Sequence, residues 1–246
     1  MELIRPDWPA PPWVHACTTT RLGGISTGVY AGLNLGDHVG DEPHRVARNR
    51  TLVRTTLDLP SEPVWLTQVH GCEVIEIGPA APPGHTADAA IARRPGAVCA
   101  VMTADCLPLL VCNRRGHSVA AVHAGWRVLA AGVIESALAA LDEAPADLLA
   151  WLGPAIGPTA FEVGPEVREA LLAADPTVAS AFQPGTDDRW LADLFALARA
   201  RLMRAGVTQI FGGGDCTWSA PDRFFSFRRD RVTGRMASLI WMSAQE

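Results

Sequence analysis

Between residues 96 and 124 three strand-length apolar runs, "GAVCAVMT", "LPLLVC" and "SVAAVHA", follow one another almost without interruption. Each is bounded by turn signals and too short for a core helix, so each reads as a buried strand. "NRRG" turns the second run into the third as a hairpin, and "TADC" is the loop joining the first to the second. The site candidates therefore stand near strand ends, where a rigid sheet hands over to a loop.

The remaining chain supplies partners for these strands. "WVHACTTTR" (13–21) reads as a strand running into the Gly-rich turn "LGGISTG", and "VWLTQVHG" and "CEVIEI" alternate as a pair of strands. "HRVARNRTLVRTTL" is a helix with Asp41 as its cap and Pro43 in its first turn. "WRVLAAGVIESALAAL" (126–141) carries Leu129, Val133, Ala137 and Leu141 on one face and reads as a single amphipathic helix laid on a sheet. "GPEVREALLAA" and "RWLADLFALARARLMRAG" are further helices; "LLAWL", "TQIFGGG", "FFSFRRD" and "GRMASLIWM" are strand-like. Strands alternating with helices through short connections predict an α+β protein, with mixed or antiparallel sheets covered by helices. With no repeat and no convincing linker, residues 1–246 are expected to form a single domain.

Composition excludes several classes. The net charge is −5, Lys is absent, and no basic stripe suited to a phosphate backbone stands out, so neither a nucleic-acid partner nor a Schiff-base lysine is expected. The start has no signal-peptide pattern and no apolar run reaches membrane-spanning length, so a soluble, cytoplasmic protein without membrane contact is expected. Its six Cys are then free thiols. "GGISTG" lacks the GxGxxG spacing and "FGGGD" lacks a GK[ST] ending; both read as loops.

Chemistry concentrates around "TADCLPLL". Cys106 follows one strand, while His70 in "TQVHG" and His123 in "VAAVHAGWR" end two others, each followed by a Gly or Ala-Gly that lets the backbone turn. The hairpin places 106 and 123 close together. Two imidazoles and a thiolate suit zinc with one open position for water or substrate, although their spacing matches no short ligand motif. A Cys106/His123 nucleophile pair and ordinary core residues remain alternatives. Asp105 can orient a ligand His, act as general acid or base, or cap the loop. His15 reads as packed in its strand, His38 lies in a polar turn, and His44, His85 and His117 read as solvent-facing. Arg21, Asn34, Arg50 and Arg127 are the candidates for substrate or phosphate, a guanidinium being able to hold phosphate through a forked pair. "FFSFRRD" can stack on a base and hold an anion, or simply pack with solvated arginines; Cys216 reads as a buried thiol.

"TTRLGGIS", "NLGDHVGD", "TQVHG", "TADCLPLL", "HAGWR", "LGPAIGPTAFEVGPEV", "CTW", "FFSFRRD" and "TGRMASLIW" together resemble, in order, the blocks of the bacterial YfiH-like family, related to the mammalian laccase-domain protein. The resemblance runs from about residue 13 to 242. It implies a four-layer α/β/β/α sandwich and a zinc site of His70, Cys106 and His123. It also implies phosphorolysis of adenosine, inosine, guanosine and S-methyl-5′-thioadenosine, with adenosine deamination, for which Asp105 is the candidate proton shuttle. The partners are then purine nucleosides and phosphate, in a monomer or homodimer. Copper-dependent polyphenol oxidation is the family's older description, but seven His are few for a full multicopper set. A Cys-His hydrolase and a noncatalytic metal-binding protein are the other readings. The chain departs from the family pattern at "RWLADL", far in sequence from the ligand set.

Overall fold

A computed structural model describes residues 1–82 and 84–244. The three apolar runs form Val98–Thr103, Leu107–Asn113 and Val119–Ala124, and the last two pair antiparallel with Pro108 opposite His123. Val98–Thr103 joins a different sheet. It closes an antiparallel four-stranded sheet in the order Leu3–Ile4, Val14–Thr19, Met236–Met242, Val98–Thr103. The hairpin is the centre of a mixed six-stranded sheet in the order Gln209–Gly212, Leu148–Leu152, Leu107–Asn113, Val119–Ala124, Ala89–Ala92, Val74–Glu76. Residues 104–106 are thus the bend by which the chain crosses from one sheet to the other.

Side-chain alternation assigns the layers. Leu107, Leu109, Val111, Ala120 and Val122 pack on Val128, Ile134, Leu138 and Leu197 of the covering helices. On the opposite face Leu110, Cys112, Val119 and Ala121 meet Val14, Ala16, Cys99, Val101 and Ile240 of the second sheet. That sheet's outer face, with Cys17, Ala100 and Leu239, packs on Leu33, Val53 and Trp65, Val53 lying in the helix Pro43–Thr56. The order is helix, sheet, sheet, helices, the four-layer sandwich expected. None of the described helices is long and apolar enough to cross a membrane.

Five local expectations are corrected. The helix expected over 126–141 is broken into Trp126–Ala131 and Val133–Leu141 at Gly132, whose φ of +97° is a left-handed geometry that glycine adopts without Cβ strain. "VWLTQVHG" is not a strand paired with "CEVIEI": Val64 and Thr67 make isolated bridges to Cys99 and Thr86, and Val74–Glu76 pairs instead with Ala89–Ile91. Here the Gln68 carboxamide replaces the missing ladder, accepting from Met102 N at 2.7 Å and donating to Met102 O at 2.9 Å. "RWLADL" opens with the strand Trp190–Ala192, and the helix starts only at Leu194, where the Asp193 side chain caps Ala196 N. "FFSFRRD" is no strand; Phe224 and Phe225 are buried and Phe227–Asp230 is a short helix. Finally, Glu42 occupies the cap position of Pro43–Thr56, while the Asp41 carboxylate accepts from Ser26, Asn34 and Glu42 N.

Candidate metal centre and adjoining cavity

The sheet-to-sheet bend carries Cys106, the adjacent strand carries His123, and the loop after Thr67 carries His70. One ligand atom from each lies within 4.8 Å of the others, with Cys106 Sγ 4.0 Å from His70 Nε2 and the two imidazole rings edge to face at 4.8 Å. His123 is buried, Cys106 half-buried and His70 exposed. The exposed side is the cavity side, so the cluster has a closed back and an open front.

Backbone geometry at this point is unusual. Asp105 has φ +97° and His70 φ +60°, left-handed values that cost a non-glycine residue about 1–3 kcal/mol unless surrounding bonds hold them. Those bonds are present. The Asp105 carboxylate accepts from Thr217 Oγ1 and from Arg228 N, both at 2.6 Å, and its carbonyl accepts from Ile156 N. Asp105 therefore ties the bend to the 217 and 226–230 segments. The carboxylate beside the imidazoles is that of Asp88 rather than Asp105: it lies 2.8 Å from His123 Nδ1 and accepts from Val69, His70 and Gly71 N at 3.2, 3.1 and 2.7 Å. Gly125 completes the cradle, because a Cβ there would stand 2.7 Å from Cys106 Sγ.

Charge is coupled across the cluster. Burial opposes a thiolate at Cys106, but His123 and His70 prevail and bring it down to about 6. Burial likewise opposes a cationic His123, yet the Cys106 sulfur and Asp88 raise it to about 9. At Asp88 burial is outweighed by the bonds from His123 and the Gly71 amide, so its carboxyl lies below the usual carboxylate range. By contrast, burial alone takes Cys112 up to about 12 and pushes Cys99 higher still. Two imidazole nitrogens and a sulfur held as thiolate suit a metal whose tetrahedral bonds of about 2.0–2.3 Å set ligand atoms roughly 3.3–3.6 Å apart. A small contraction of the observed cluster reaches that spacing, so the residues fit a His-Cys-His metal site.

The cluster opens on a cavity of about 460 Å³. Met102, Trp126, Ile156, Phe161 and Phe227 give it apolar and aromatic surface, and Arg127, Arg228, Arg231, Arg235, His38 and Gln68 give it polar groups. Of the four substrate candidates read from the sequence, only Arg127 lines this cavity, its guanidinium stacked on Trp126 at 4.3 Å. Arg21 donates to the carbonyls of Pro221 and Ala31 and stacks on Phe225. Arg50 donates to Leu35 O, pairs with Asp37 and stacks on Trp65. Asn34 is buried, bonded to Gly36, Asp41 and Arg235 N. These three brace neighbouring loops and do not line the cavity.

Of the segment "FFSFRRD", read from the sequence as able to stack on a base and hold an anion, Phe227 and Arg228 line the cavity, whereas Asp88, Arg231 and Arg235 are residues that the sequence reading does not reach. For Asp88 the available signal was a lone acid heading the apolar run "AAIA"; for the arginines it was their clustering in "FRRDRVTGR". Cys216 is half-buried rather than buried, and its sulfur accepts from Gly157 N and Ser219 Oγ at 3.2 Å. His15 is packed as expected, stacked on Trp241 and bonded to Ser243. His85, expected to face solvent, is half-buried.

Similarity to known proteins agrees with this arrangement. Residues 15–243 match the family described as multi-copper polyphenol oxidoreductase laccase. Purine nucleoside phosphorylase YfiH of Escherichia coli K12 is 54% identical over 242 residues, 98% of this chain and 99% of the relative. The crystal structure of a Neisseria meningitidis protein superposes with a TM-score of 0.96 at 48% identity, over 99% of this chain and 100% of that one. YlmD from Geobacillus stearothermophilus superposes with a TM-score of 0.87 at 30% identity, over 96% and 94%. With a family match over residues 15–243 and a relative 54% identical over 98% of this chain, the chain belongs to the YfiH-like, laccase-domain family.

Proposed function

We propose that this protein is a zinc-dependent purine nucleoside phosphorylase, with adenosine, inosine, guanosine and S-methyl-5′-thioadenosine as substrates and adenosine deamination as a second activity. The observation that carries the reading is the cavity itself: one space of about 460 Å³ joins the His-Cys-His donor set, three aromatic side chains and four arginines. The name of the E. coli relative, at 54% identity, supports the same reaction.

Phosphorolysis breaks the C1′–N9 bond, whose electron pair leaves on the purine, while a phosphate oxygen bonds C1′; the purine takes up a proton. Phosphate needs concentrated positive charge, which Arg127, Arg228, Arg231 and Arg235 supply around the cavity. The purine needs flat apolar surface, which Trp126, Phe161 and Phe227 offer. Asp105 holds Arg228 through its backbone N–H, so it places a phosphate-binding residue beside the bend that carries Cys106. Holding both reactants in one cavity converts a bimolecular encounter into a positioned reaction. His70, Cys106 and His123 would hold the zinc ion, which would supply Lewis acidity beside the reacting groups. Deamination, which replaces the C6 amino group with oxygen from water and releases ammonia, uses the same purine surface without phosphate.

The test measures metal content and turnover together, on protein purified without chelator and given inosine or adenosine with and without phosphate. About one zinc per chain and free base released only with phosphate is the expected result. Zinc-loaded protein that releases no base overturns the phosphorylase reading. Several coppers with oxygen consumption identify a polyphenol oxidase instead, and metal-independent activity lost on Cys106 alkylation identifies a hydrolase.

A further inference from the structure

Asp88 is fully buried, and its carboxylate makes four hydrogen bonds. Their distribution is specific. Oδ1 lies 2.8 Å from His123 Nδ1 and accepts from His70 N, while Oδ2 accepts from Val69 N and Gly71 N. The Asp88 main-chain carbonyl also accepts from His123 N at 2.8 Å. One residue thus grips His123 by ring and backbone, and holds three consecutive amides of the turn on which His70 sits.

We propose that Asp88 is the positioning residue of the metal centre, setting the tautomer of His123 and the backbone of His70 through a single carboxylate. An ionised carboxylate only accepts, so the proton of neutral His123 resides on Nδ1 and its Nε2 lone pair is left for the ligand set. The three amides hold His70 at its φ of +60°, which the residue would otherwise leave for an ordinary conformation. His70 lies on a loop and His123 on a strand; Asp88, at the head of the strand Ala89–Ala92, is what they have in common. Both imidazoles therefore depend on the same buried group, and perturbing it displaces two ligands at once.

The inference rests on the metal-centre reading above and is tested without turnover. Asp88→Asn keeps the shape but offers one acceptor oxygen, and turns an N–H₂ toward two N–H donors. In chelator competition its zinc affinity is expected to fall by about tenfold to a hundredfold, the usual effect of losing a carboxylate behind a ligand histidine. In nitrogen-resolved NMR of the metal-free parent above the titration of His123, the ring proton is expected on Nδ1. Zinc affinity within about twofold of the parent, or a parent His123 protonated at Nε2, overturns the proposal. If Asp88→Asn fails to fold, the parent's tautomer alone decides. A parent that binds no zinc refutes the metal centre, whereas the tautomer still tells whether Asp88 orients His123.

Discussion

Gly125→Ala isolates the geometry of the metal centre from the stability of the fold. Gly125 has φ −71° and ψ 164°, values any residue adopts, so alanine brings no backbone strain. Its Cβ would stand 2.7 Å from Cys106 Sγ, 3.5 Å from Cys106 Cβ and 3.7 Å from His70 Cδ2. Ordinary contact needs about 3.5–4.0 Å, so the sulfur must retreat by about 1 Å. It has little freedom to do so by sliding the backbone, because the neighbouring Asp105 is clamped by Thr217 and Arg228. Rotation about the Cys106 side chain then carries the sulfur off its ligand position. A misplacement of about 1 Å costs on the order of a hundredfold in rate, equivalent to about 2.7 kcal/mol of transition-state stabilisation. Stability changes far less: replacing glycine by alanine at a helix cap costs about 0.5–1 kcal/mol, a drop in Tm of about 1–4 °C. The assay pairs zinc retention after dialysis and phosphate-dependent base release with thermal unfolding, using Gly78→Ala, whose Cβ meets nothing within 4 Å, as the control. If Gly125→Ala keeps its zinc and turns over within about twofold of the parent, the close-packed cradle is not what holds the sulfur.

In metal-free protein, Cys106 should be alkylated with a rate that rises through a pH of about 6 and is already high at neutrality, because its folded pKa lies below that of a free thiol and the thiolate is the reactive form. Cys112, at about 12, should stay unmodified at the same pH; mass spectrometry of iodoacetamide-treated protein reads both, and a Cys106 rate rising only near pH 9 would contradict the coupling to His123 and His70. The same depression fixes the sign of the linkage: the stability contributed by the Cys106 thiolate is fully present above the unfolded thiol's pKa and is lost as pH falls toward 6. Arg231 stands at φ +62° and ψ −60° on the cavity. Arg231→Gly should raise Tm by about 2–4 °C through relief of that strain, while raising the KM for phosphate about tenfold through loss of a charged contact. An unchanged phosphate KM would remove Arg231 from the phosphate site.

Much of this protein is written in local patterns. The apolar runs of 96–124 specify buried strands, and "NRRG" specifies the hairpin that sets Pro108 opposite His123. The residue types at 70, 106 and 123 admit a metal-binding chemistry, but in the sequence alone a Cys106/His123 nucleophile pair or ordinary core residues stand beside it. Where local signal and structure part, a tertiary contact or a single glycine is the reason. Gln68 supplies through its side chain the hydrogen bonds that a strand over "LTQV" would have made with its backbone, and Gly132 breaks a helix whose apolar periodicity runs on unchanged.

Only the folded chain decides which charges meet which. Arg21, Asn34 and Arg50 read in sequence as candidates for substrate or phosphate, but their donors are taken by carbonyls and carboxylates of neighbouring loops. Arg228, Arg231 and Arg235 reach the cavity because the last loop folds back over residues 104–106 and is tied there by Asp105. Asp88 is the sharpest case. Nothing in "TADAAIA" says what its carboxylate will bind, since three of its four donors come from the loop at 69–71 and the fourth from a strand residue at 123. A sequence states donor and acceptor types position by position; it takes the stacking of two sheets, and the bend between them, to set a carboxylate within 3.2 Å of partners so far apart along the chain.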